Sequence, residues 1–178
     1  MPEPHEPAHG SSPRPARRAD GVNDSGRKDG AALRRSSAVT VIAYIDGLAE
    51  PRNPGVGTYG FVIYRDGRRL AEGDGLAGYN VTNNFAEYTA LAEALKKLKE
   101  MHILSGAVVR TDSKLLYGQM SQGWKVKGGG YVQKLKEVRD LLREFDSVTF
   151  EWVPREKNEE ADLLSRVAYD KNRSASRR

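Results

Sequence analysis

The chain has 178 residues, no cysteine, a formal net charge of +5 and 38% hydrophobic residues. This length suits one domain with flanking tails, and the lack of cysteine excludes disulfides, thiolate metal sites and a cysteine nucleophile. No apolar run reaches the roughly 18 residues that a membrane-spanning helix needs, and the N-terminus lacks the basic and then apolar order of a secretory signal. We therefore expect a cytoplasmic protein with no membrane partner.

The positive charge lies mainly near the two ends of the chain. Residues 1–38 contain seven Arg or Lys against five acidic residues, and residues 171–178 contain four basic residues and no acidic one. The first stretch is rich in Pro, Ser and Gly and poor in large apolar side chains, so we predict a disordered N-terminal extension. Residues 39–170 form the predicted folded domain, and 171–178 a basic C-terminal tail. The tails either only solubilise the chain or attract a polyanion.

Three strands are predicted at the start of the folded domain. Residues 39–46 (VTVIAYID) are β-branched and apolar, which is typical of a strand buried on both faces. Residues 57–64 (GTYGFVIY) predict a second strand, and the Asp66-Gly67 pair predicts a tight turn into a third strand at 68–79. These three strands are expected to be antiparallel.

Helices alternate with two further strands in the rest of the domain. Asn84 is a candidate N-cap for a helix whose apolar residues recur at helical spacing, namely Tyr88, Leu91, Leu95 and Leu98. The remaining pattern predicts a strand at 106–112, helices at 113–120 and 131–145, a strand at 148–153 and a closing helix at 158–170. This order predicts an α/β domain with a mixed five-stranded sheet and helices on both faces.

One glycine pattern has to be set aside. Gly55, Gly57 and Gly60 match the spacing of a dinucleotide-binding loop, but a strand and a hairpin follow them. The dinucleotide loop requires a helix N-terminus at that point to receive the pyrophosphate. The sequence therefore excludes a nicotinamide site here.

Four acidic residues stand on four separate predicted elements: Asp46, Glu87, Asp112 and Asp162. Each has a structural explanation of its own, as a turn, a capping box, a helix cap or a charge near a helix N-terminus. Asp46, however, lies among apolar residues, where a lone carboxylate is costly. If the first and fourth strands are neighbours, Asp46 and Asp112 approach each other and require a cation or a proton. Oxygen ligands without His or Cys favour Mg²⁺ or Mn²⁺.

The motifs YIDG, TNNFAEYTAL, RTDSK and WVPREKNEEADLLSRVAY resemble the ordered motifs of type 1 ribonuclease H over about residues 39–170. The last of them resembles the archaeal-like subgroup, which lacks the long basic protrusion and the loop histidine. The resemblance implies the ribonuclease H-like fold, with its sheet in the order 3-2-1-4-5. It implies that the four carboxylates are catalytic and hold two Mg²⁺ ions, or Mn²⁺, with Asp46 bridging them. It also implies cleavage of the RNA strand of RNA/DNA hybrids, which leaves a 5′-phosphate and a 3′-hydroxyl.

Seven residues are candidates for substrate binding on the same resemblance. Asn53, Asn83 and Asn84 match family positions that contact the minor groove, where an amide can read a 2′-hydroxyl. Whether double-stranded RNA is also a substrate stays open, and we expect a monomer. The other four are Trp124, Lys125, Lys127 and Arg155.

Two departures from the family pattern involve these last four residues. The loop with Trp124, Lys125 and Lys127 is much shorter than the protrusion of extended members, and it either touches the DNA backbone or is a packed Trp with two solvated lysines. Arg155 is the comparable side chain where other members carry a loop histidine. It can bind phosphate, but it cannot shuttle a proton near neutral pH.

Two alternatives remain beside a hybrid-cleaving enzyme. One is a catalytically silent module that only binds RNA/DNA hybrids, which the four negative charges disfavour because they repel a polyanion. The other is a nuclease of the same superfamily that acts on DNA. The TNN motif and the final helix are less similar to those relatives.

Overall fold

The computed structural model describes residues 40–173, so the predicted extension at 1–38 and the tail from 174 onwards lie outside the described residues. Within that part the strands are β1 (Val41–Glu50), β2 (Gly55–Arg65), β3 (Arg68–Val81), β4 (Ala107–Thr111) and β5 (Val148–Trp152). The helices are α1 (Asn83–Glu100), α2 (Lys114–Ser121), α3 (Val132–Leu142) and α4 (Glu159–Arg173). Helix α4 thus includes the first residues of the stretch expected to form the basic tail.

The five strands form one sheet in the order β3-β2-β1-β4-β5, which confirms the predicted order. Strands β1, β2 and β3 are antiparallel neighbours, whereas β4 is parallel to β1 and β5 is parallel to β4. The turn between β2 and β3 is built by Asp66 and Gly67, whose φ angles are 50° and 79°. Two successive positive φ angles are what a tight two-residue hairpin requires, which explains the Asp-Gly pair.

Helix α1 covers one face of the sheet. Its predicted apolar positions Tyr88, Leu91, Leu95 and Leu98 are all 0% exposed. They join the alternate β1 residues Val41, Ala43 and Ile45 in one apolar core. Because successive strand residues point to opposite faces, the even-numbered residues of β1 face the other side of the sheet.

Helix α4 covers part of that other face at very short distance. A Cβ at Gly60 of β2 would lie 2.5 Å from the carbonyl oxygen of Ala161 and 2.6 Å from the amide nitrogen of Ser165. Glycine is therefore required at this position for α4 to reach the sheet. Thr58 strengthens the contact, since its hydroxyl donates a hydrogen bond of 2.8 Å to the carbonyl of Ser165.

The N-cap predicted for α1 is wrong. Helix α1 begins at Asn83, and its N-cap is Thr82, whose hydroxyl accepts a hydrogen bond of 3.2 Å from the amide of Phe85. Thr and Asn cap helices by the same chemistry, so propensity alone did not separate residues two positions apart. Among residues 40–173, no helix combines the length and apolar character needed to cross a membrane.

Candidate metal centre

Parallel pairing of β1 and β4 brings Asp46 and Asp112 to the same level of the sheet. The ladder between these two strands ends with Tyr44 opposite Arg110, and each aspartate lies two residues beyond that end along its own strand direction. Asp46 is in the interior of β1 and 6% exposed, whereas Asp112 follows the end of β4 and is partly buried. The expectation that these two strands are neighbours is thus confirmed.

Helix α1 delivers Glu87 to the same place. A Cβ at Gly47 would lie 2.2 Å from the carbonyl carbon of Ala86 and 2.3 Å from the amide nitrogen of Glu87, so only glycine allows α1 to approach β1 this closely. The Gly47 amide in turn donates a hydrogen bond to the Glu87 carboxylate. In the motif YIDG, Asp46 therefore supplies one acidic residue, and Gly47 leaves the space that lets Glu87 approach it.

Asp46, Glu87 and Asp112 form a cluster of carboxylates. One oxygen from each lies within 4.8 Å of the others, and all three side chains line a cavity of about 320 Å³. No other such cluster of His, Cys, Asp or Glu occurs in the part of the chain that the structure describes. Three of the four predicted carboxylates therefore meet within the reach of a shared cation.

The electrostatics of this carboxylate cluster favour a proton or a cation. Burial raises the pKa of Asp46 from 3.8 to about 6. The hydrogen bond from Ser165 acts against this rise, and repulsion from Asp112 and Asp162 adds to it. Burial, with repulsion from Asp46 and Asp112, raises the pKa of Glu87 well above its usual range. Burial also raises the pKa of Asp112. Each carboxylate is thus destabilised in its ionised form unless a positive charge joins it.

The oxygen atoms of the cluster fit a hard divalent cation. Glu87 is 9% exposed, and its Oε2 is buried without a hydrogen-bond partner among the described residues. A buried carboxylate oxygen in that state is costly, and a bound ion would satisfy it. Three carboxylates with no imidazole or thiolate beside them suit Mg²⁺ or Mn²⁺ rather than Zn²⁺.

Asp162 lines the same cavity but is engaged in ion pairs. Its Oδ1 accepts a hydrogen bond of 2.8 Å from Arg155, and its Oδ2 accepts one of 2.9 Å from Arg166. Burial acts to raise its pKa, but the hydrogen bonds from Arg166 and Arg155 outweigh burial and lower it. The negative charge of Asp162 still acts to raise the pKa values of Asp46 and Asp112, so Asp162 interacts electrostatically with the cluster. The predicted site residue Arg155 is thus the ion-pair partner of a predicted metal ligand.

Two supporting residues were not predicted from the sequence. Asn158 is 1% exposed, and its side-chain amide donates to the carbonyl of Ile45 at 2.8 Å and to Oδ1 of Asp112 at 3.4 Å. Ser165 is 0% exposed and its hydroxyl donates to Oδ2 of Asp46. The available signal was their spacing from Asp162, since Asn158 and Ser165 lie four residues before and three residues after it.

The three predicted asparagines lie at the start of α1 and in the β1–β2 connection. The Asn83 side chain lines the cavity and accepts a hydrogen bond of 2.6 Å from the amide of Ala49, while the Asn83 amide donates one of 3.1 Å to the Asn53 side chain. Asn84 is the next residue and is partly buried. Asn53 and Asn83 are therefore tied together beside the carboxylate cluster.

Trp124, Lys125 and Lys127 line a different cavity, of about 550 Å³, between α2 and Tyr131. Trp124 is 48% exposed, and its ring is packed so closely on α2 that a Cβ at Gly118 would lie 2.2 Å from it. The two lysines are exposed. An indole that packs on α2 and is still half exposed, beside two exposed lysines, is compatible with both interpretations of this loop, as a nucleic-acid contact or as a packed Trp with two solvated lysines.

Comparison with known proteins identifies similar chains. The family described as "Reverse transcriptase-like" matches residues 45–168. The ribonuclease HI of Synechocystis sp. is 38% identical over 154 residues, which cover 77% of this chain and 92% of that protein. The first curated relatives are three mycobacterial proteins, each 37% identical over 120 residues. The chain spans only 32% of the length of these three.

Two solved structures of RNase H1 proteins are also similar to this chain. The crystal structure of RNase H1 from the halophilic archaeon Halobacterium salinarum is 36% identical, with a TM-score of 0.69, over 74% of this chain and 98% of that one. The structure of LC11-RNase H1 in complex with an RNA/DNA hybrid is likewise 36% identical, with a TM-score of 0.69 and the same coverage. The alignments thus span nearly the whole of both solved chains.

Proposed function

Because the chain belongs to the type 1 ribonuclease H family, we propose that it hydrolyses the RNA strand of RNA/DNA hybrids in a reaction that depends on divalent ions. The observation that carries this proposal is the meeting of Asp46, Glu87 and Asp112, whose oxygens lie within 4.8 Å of one another in a cavity of about 320 Å³. The hybrid as substrate is supported by the LC11 relative, whose structure holds one.

The carboxylates are the proposed ligands for two ions, with Mg²⁺ as the first candidate and Mn²⁺ as the second. When bound, such ions would activate a water molecule for attack on the scissile phosphate and neutralise charge on the departing 3′ oxygen, leaving a 5′-phosphate and a 3′-hydroxyl. Asp46 is the proposed bridging ligand. It is in the interior of β1, and its carboxylate has an oxygen within 4.8 Å of both Glu87 and Asp112.

The other side chains of the cavity hold and orient the substrate in this proposal. Arg155 and Arg166 both line the cavity and keep positive charge beside its five acidic residues, so a phosphate can approach a site that would otherwise repel it. Their present partner Asp162 would serve as a fourth ligand once phosphate oxygens take up the two guanidinium groups. Asn53, Asn83 and Asn84 offer amides to the 2′-hydroxyl that distinguishes RNA from DNA.

The test is a cleavage assay on four labelled substrates: an RNA/DNA hybrid, duplex RNA, duplex DNA and single-stranded RNA. We expect cleavage of the RNA strand of the hybrid with Mg²⁺ or Mn²⁺, and none with chelator. Asp46→Asn removes the bridging charge at constant shape and should abolish turnover. Asp140→Asn is the matched control, because Asp140 is exposed on α3, where its one ion pair among residues 40–173 is with Arg143, at 2.8 Å.

The outcomes separate this proposal from its alternatives. Tight hybrid binding without cleavage in Mg²⁺ or Mn²⁺ would identify a silent binding module. Preferential cleavage of duplex DNA would identify a DNA-acting nuclease of the superfamily. Cleavage that survives chelation, or full activity in Asp46→Asn, would remove the metal-dependent mechanism. The duplex RNA arm decides whether that polymer is a second substrate.

A further inference from the structure

Ser165 is a buried polar residue on α4 that faces the sheet rather than solvent. It is 0% exposed, and its hydroxyl contacts two oxygens, Oδ2 of Asp46 and, at 2.8 Å, the carbonyl oxygen of Asp162. Its own carbonyl accepts the 2.8 Å hydrogen bond from Thr58. Ser165 therefore links α4, which carries Asp162, to β1, which carries Asp46.

The hydroxyl of Ser165 has one hydrogen to give and two acceptors within reach. A hydrogen bond to an ionised carboxylate is roughly twice as strong as one between neutral groups. The Asp46 carboxylate is therefore the favoured acceptor whenever it is charged, and Oδ2 is the oxygen that accepts. With Oδ2 held in this way, Oδ1 is the oxygen left to coordinate an ion.

The geometry points to Ser165 as a positioning residue for the metal centre: its hydroxyl fixes the orientation of the Asp46 carboxylate and presents Oδ1 to the ions that Asp46, Glu87 and Asp112 share. This inference rests on the proposed function only in requiring that the carboxylate cluster bind divalent ions. Ser165 does not line the cavity, and its hydroxyl reaches Oδ2 of Asp46, so it acts through that carboxylate.

The position of Ser165 in the fold makes this role specific. An alanine in place of Ser165 would be no larger at this face of α4, where the atoms closest to Gly60 include the Ala161 carbonyl oxygen and the Ser165 amide nitrogen, which belong to the backbone. A hydroxyl adds nothing to that packing. The hydroxyl adds a hydrogen bond to the Asp46 carboxylate. Asp46 lies in the interior of β1, where the strand leaves its side chain little freedom to reach another partner.

The test is calorimetric titration of metal-free protein with Mn²⁺ in the absence of nucleic acid, comparing wild type, Ser165→Ala, Ser165→Thr and Thr58→Val. Removing a residue that orients a metal ligand typically weakens metal binding by roughly ten- to a hundredfold, and we expect a loss of that size in Ser165→Ala. Ser165→Thr keeps a hydroxyl and should recover most of the affinity. Thr58→Val removes a different hydrogen bond between α4 and the sheet, the one from the Thr58 hydroxyl to the Ser165 carbonyl, without touching Asp46. It should leave Mn²⁺ affinity within about twofold of wild type while lowering thermal stability.

Each outcome decides the inference. Equal Mn²⁺ affinity in wild type and Ser165→Ala would overturn it while leaving the metal centre intact. An equal loss in Thr58→Val would overturn it as well, because the effect would then come from general loosening of α4. Failure of wild type itself to bind Mn²⁺ would remove the metal centre and with it the proposed function, which is a different and recognisable result.

Discussion

Replacing Asp46 with asparagine removes a buried charge and keeps the shape of the side chain. Burial, with the repulsion from Asp112 and Asp162 and despite the Ser165 hydrogen bond, raises the pKa of Asp46 in the metal-free fold from 3.8 to about 6. A carboxyl group whose pKa is raised on folding destabilises the fold wherever it is ionised. This cost is absent below the unfolded pKa of 3.8 and fully present above the folded pKa of about 6.

The magnitude follows from the shift. Each pKa unit corresponds to about 1.4 kcal/mol, so ionised Asp46 costs the metal-free fold up to about 3 kcal/mol. Asparagine avoids that cost and still accepts the hydrogen bond from Ser165, although as a weaker, neutral acceptor. We therefore expect metal-free Asp46→Asn to be more stable than wild type by about 1–3 kcal/mol near pH 7.5, with the difference vanishing below about pH 4.

Urea unfolding in the presence of chelator, at several pH values, measures this difference. The control Asp140→Asn should change the free energy of unfolding by less than about 0.5 kcal/mol, because it alters only an exposed ion pair. Adding Mg²⁺ should then stabilise wild type but not Asp46→Asn, since a ligand of the native state stabilises it only where it binds. A variant less stable than wild type at neutral pH, or a gain that persists at acid pH, would show that Asp46 is not held as an uncompensated charge.

Four further predictions concern metal affinity, the packing of α4, the N-terminal residues and the loop lysines. Mn²⁺ binding should weaken as the pH falls from about 8 to about 6, because the ions compete with protons for carboxylates of raised pKa. Binding should also release protons, which calorimetry in buffers of different ionisation enthalpy would measure. Gly60→Val should destabilise the fold by about 2 kcal/mol or more in urea unfolding, since its side chain would collide with the backbone of α4. Deleting residues 1–38 should leave the rate of hybrid cleavage largely unchanged, and a collapse of turnover would refute a purely solvated extension. The pair Lys125→Ala and Lys127→Ala should reduce the salt dependence of hybrid binding by roughly one unit of slope per lost phosphate contact, and an unchanged slope would assign the lysines to solvent.

The arrangement of the sheet was largely predictable from local patterns and motif order. The Asp-Gly turn, the apolar first strand and the spacing of Tyr88, Leu91 and Leu95 each constrain one element strongly. The adjacency of β1 and β4, in contrast, depends on a contact between distant residues that no local pattern encodes. It came from the family resemblance, and it is the contact that brings Asp46 and Asp112 together.

The convergence of Asp46, Glu87 and Asp112 was predicted, but the state of Asp162 was not. Its two arginine partners lie seven residues before and four residues after it. Arg166 is an ordinary i,i+4 partner of Asp162 on the same helix. The position of Arg155, in contrast, depends on the turn Arg155–Lys157 that precedes α4. Such a turn has too weak a sequence signal to place a guanidinium group in advance.

Ser165 and Asn158 show the other limit of sequence reasoning. A serine inside an amphipathic helix and an asparagine just before one have common structural roles, and neither residue type signals contact with a carboxylate. Their significance appears only when α4 is placed on the sheet at the distance that Gly60 permits. Residues that contact the carboxylates through packing are therefore found from the fold, whereas the proposed ligands are found from their chemistry and their order in the sequence.

The most direct test of the metal centre is a crystal of the protein soaked in Mn²⁺ at about pH 8 and measured at the manganese absorption edge. We predict an anomalous difference peak about 2 Å from carboxylate oxygens of Asp46 and of Glu87 or Asp112, as expected for a hard divalent ion on oxygen ligands. An empty cavity between these three residues at saturating Mn²⁺, or a peak held by other residues only, would contradict the account.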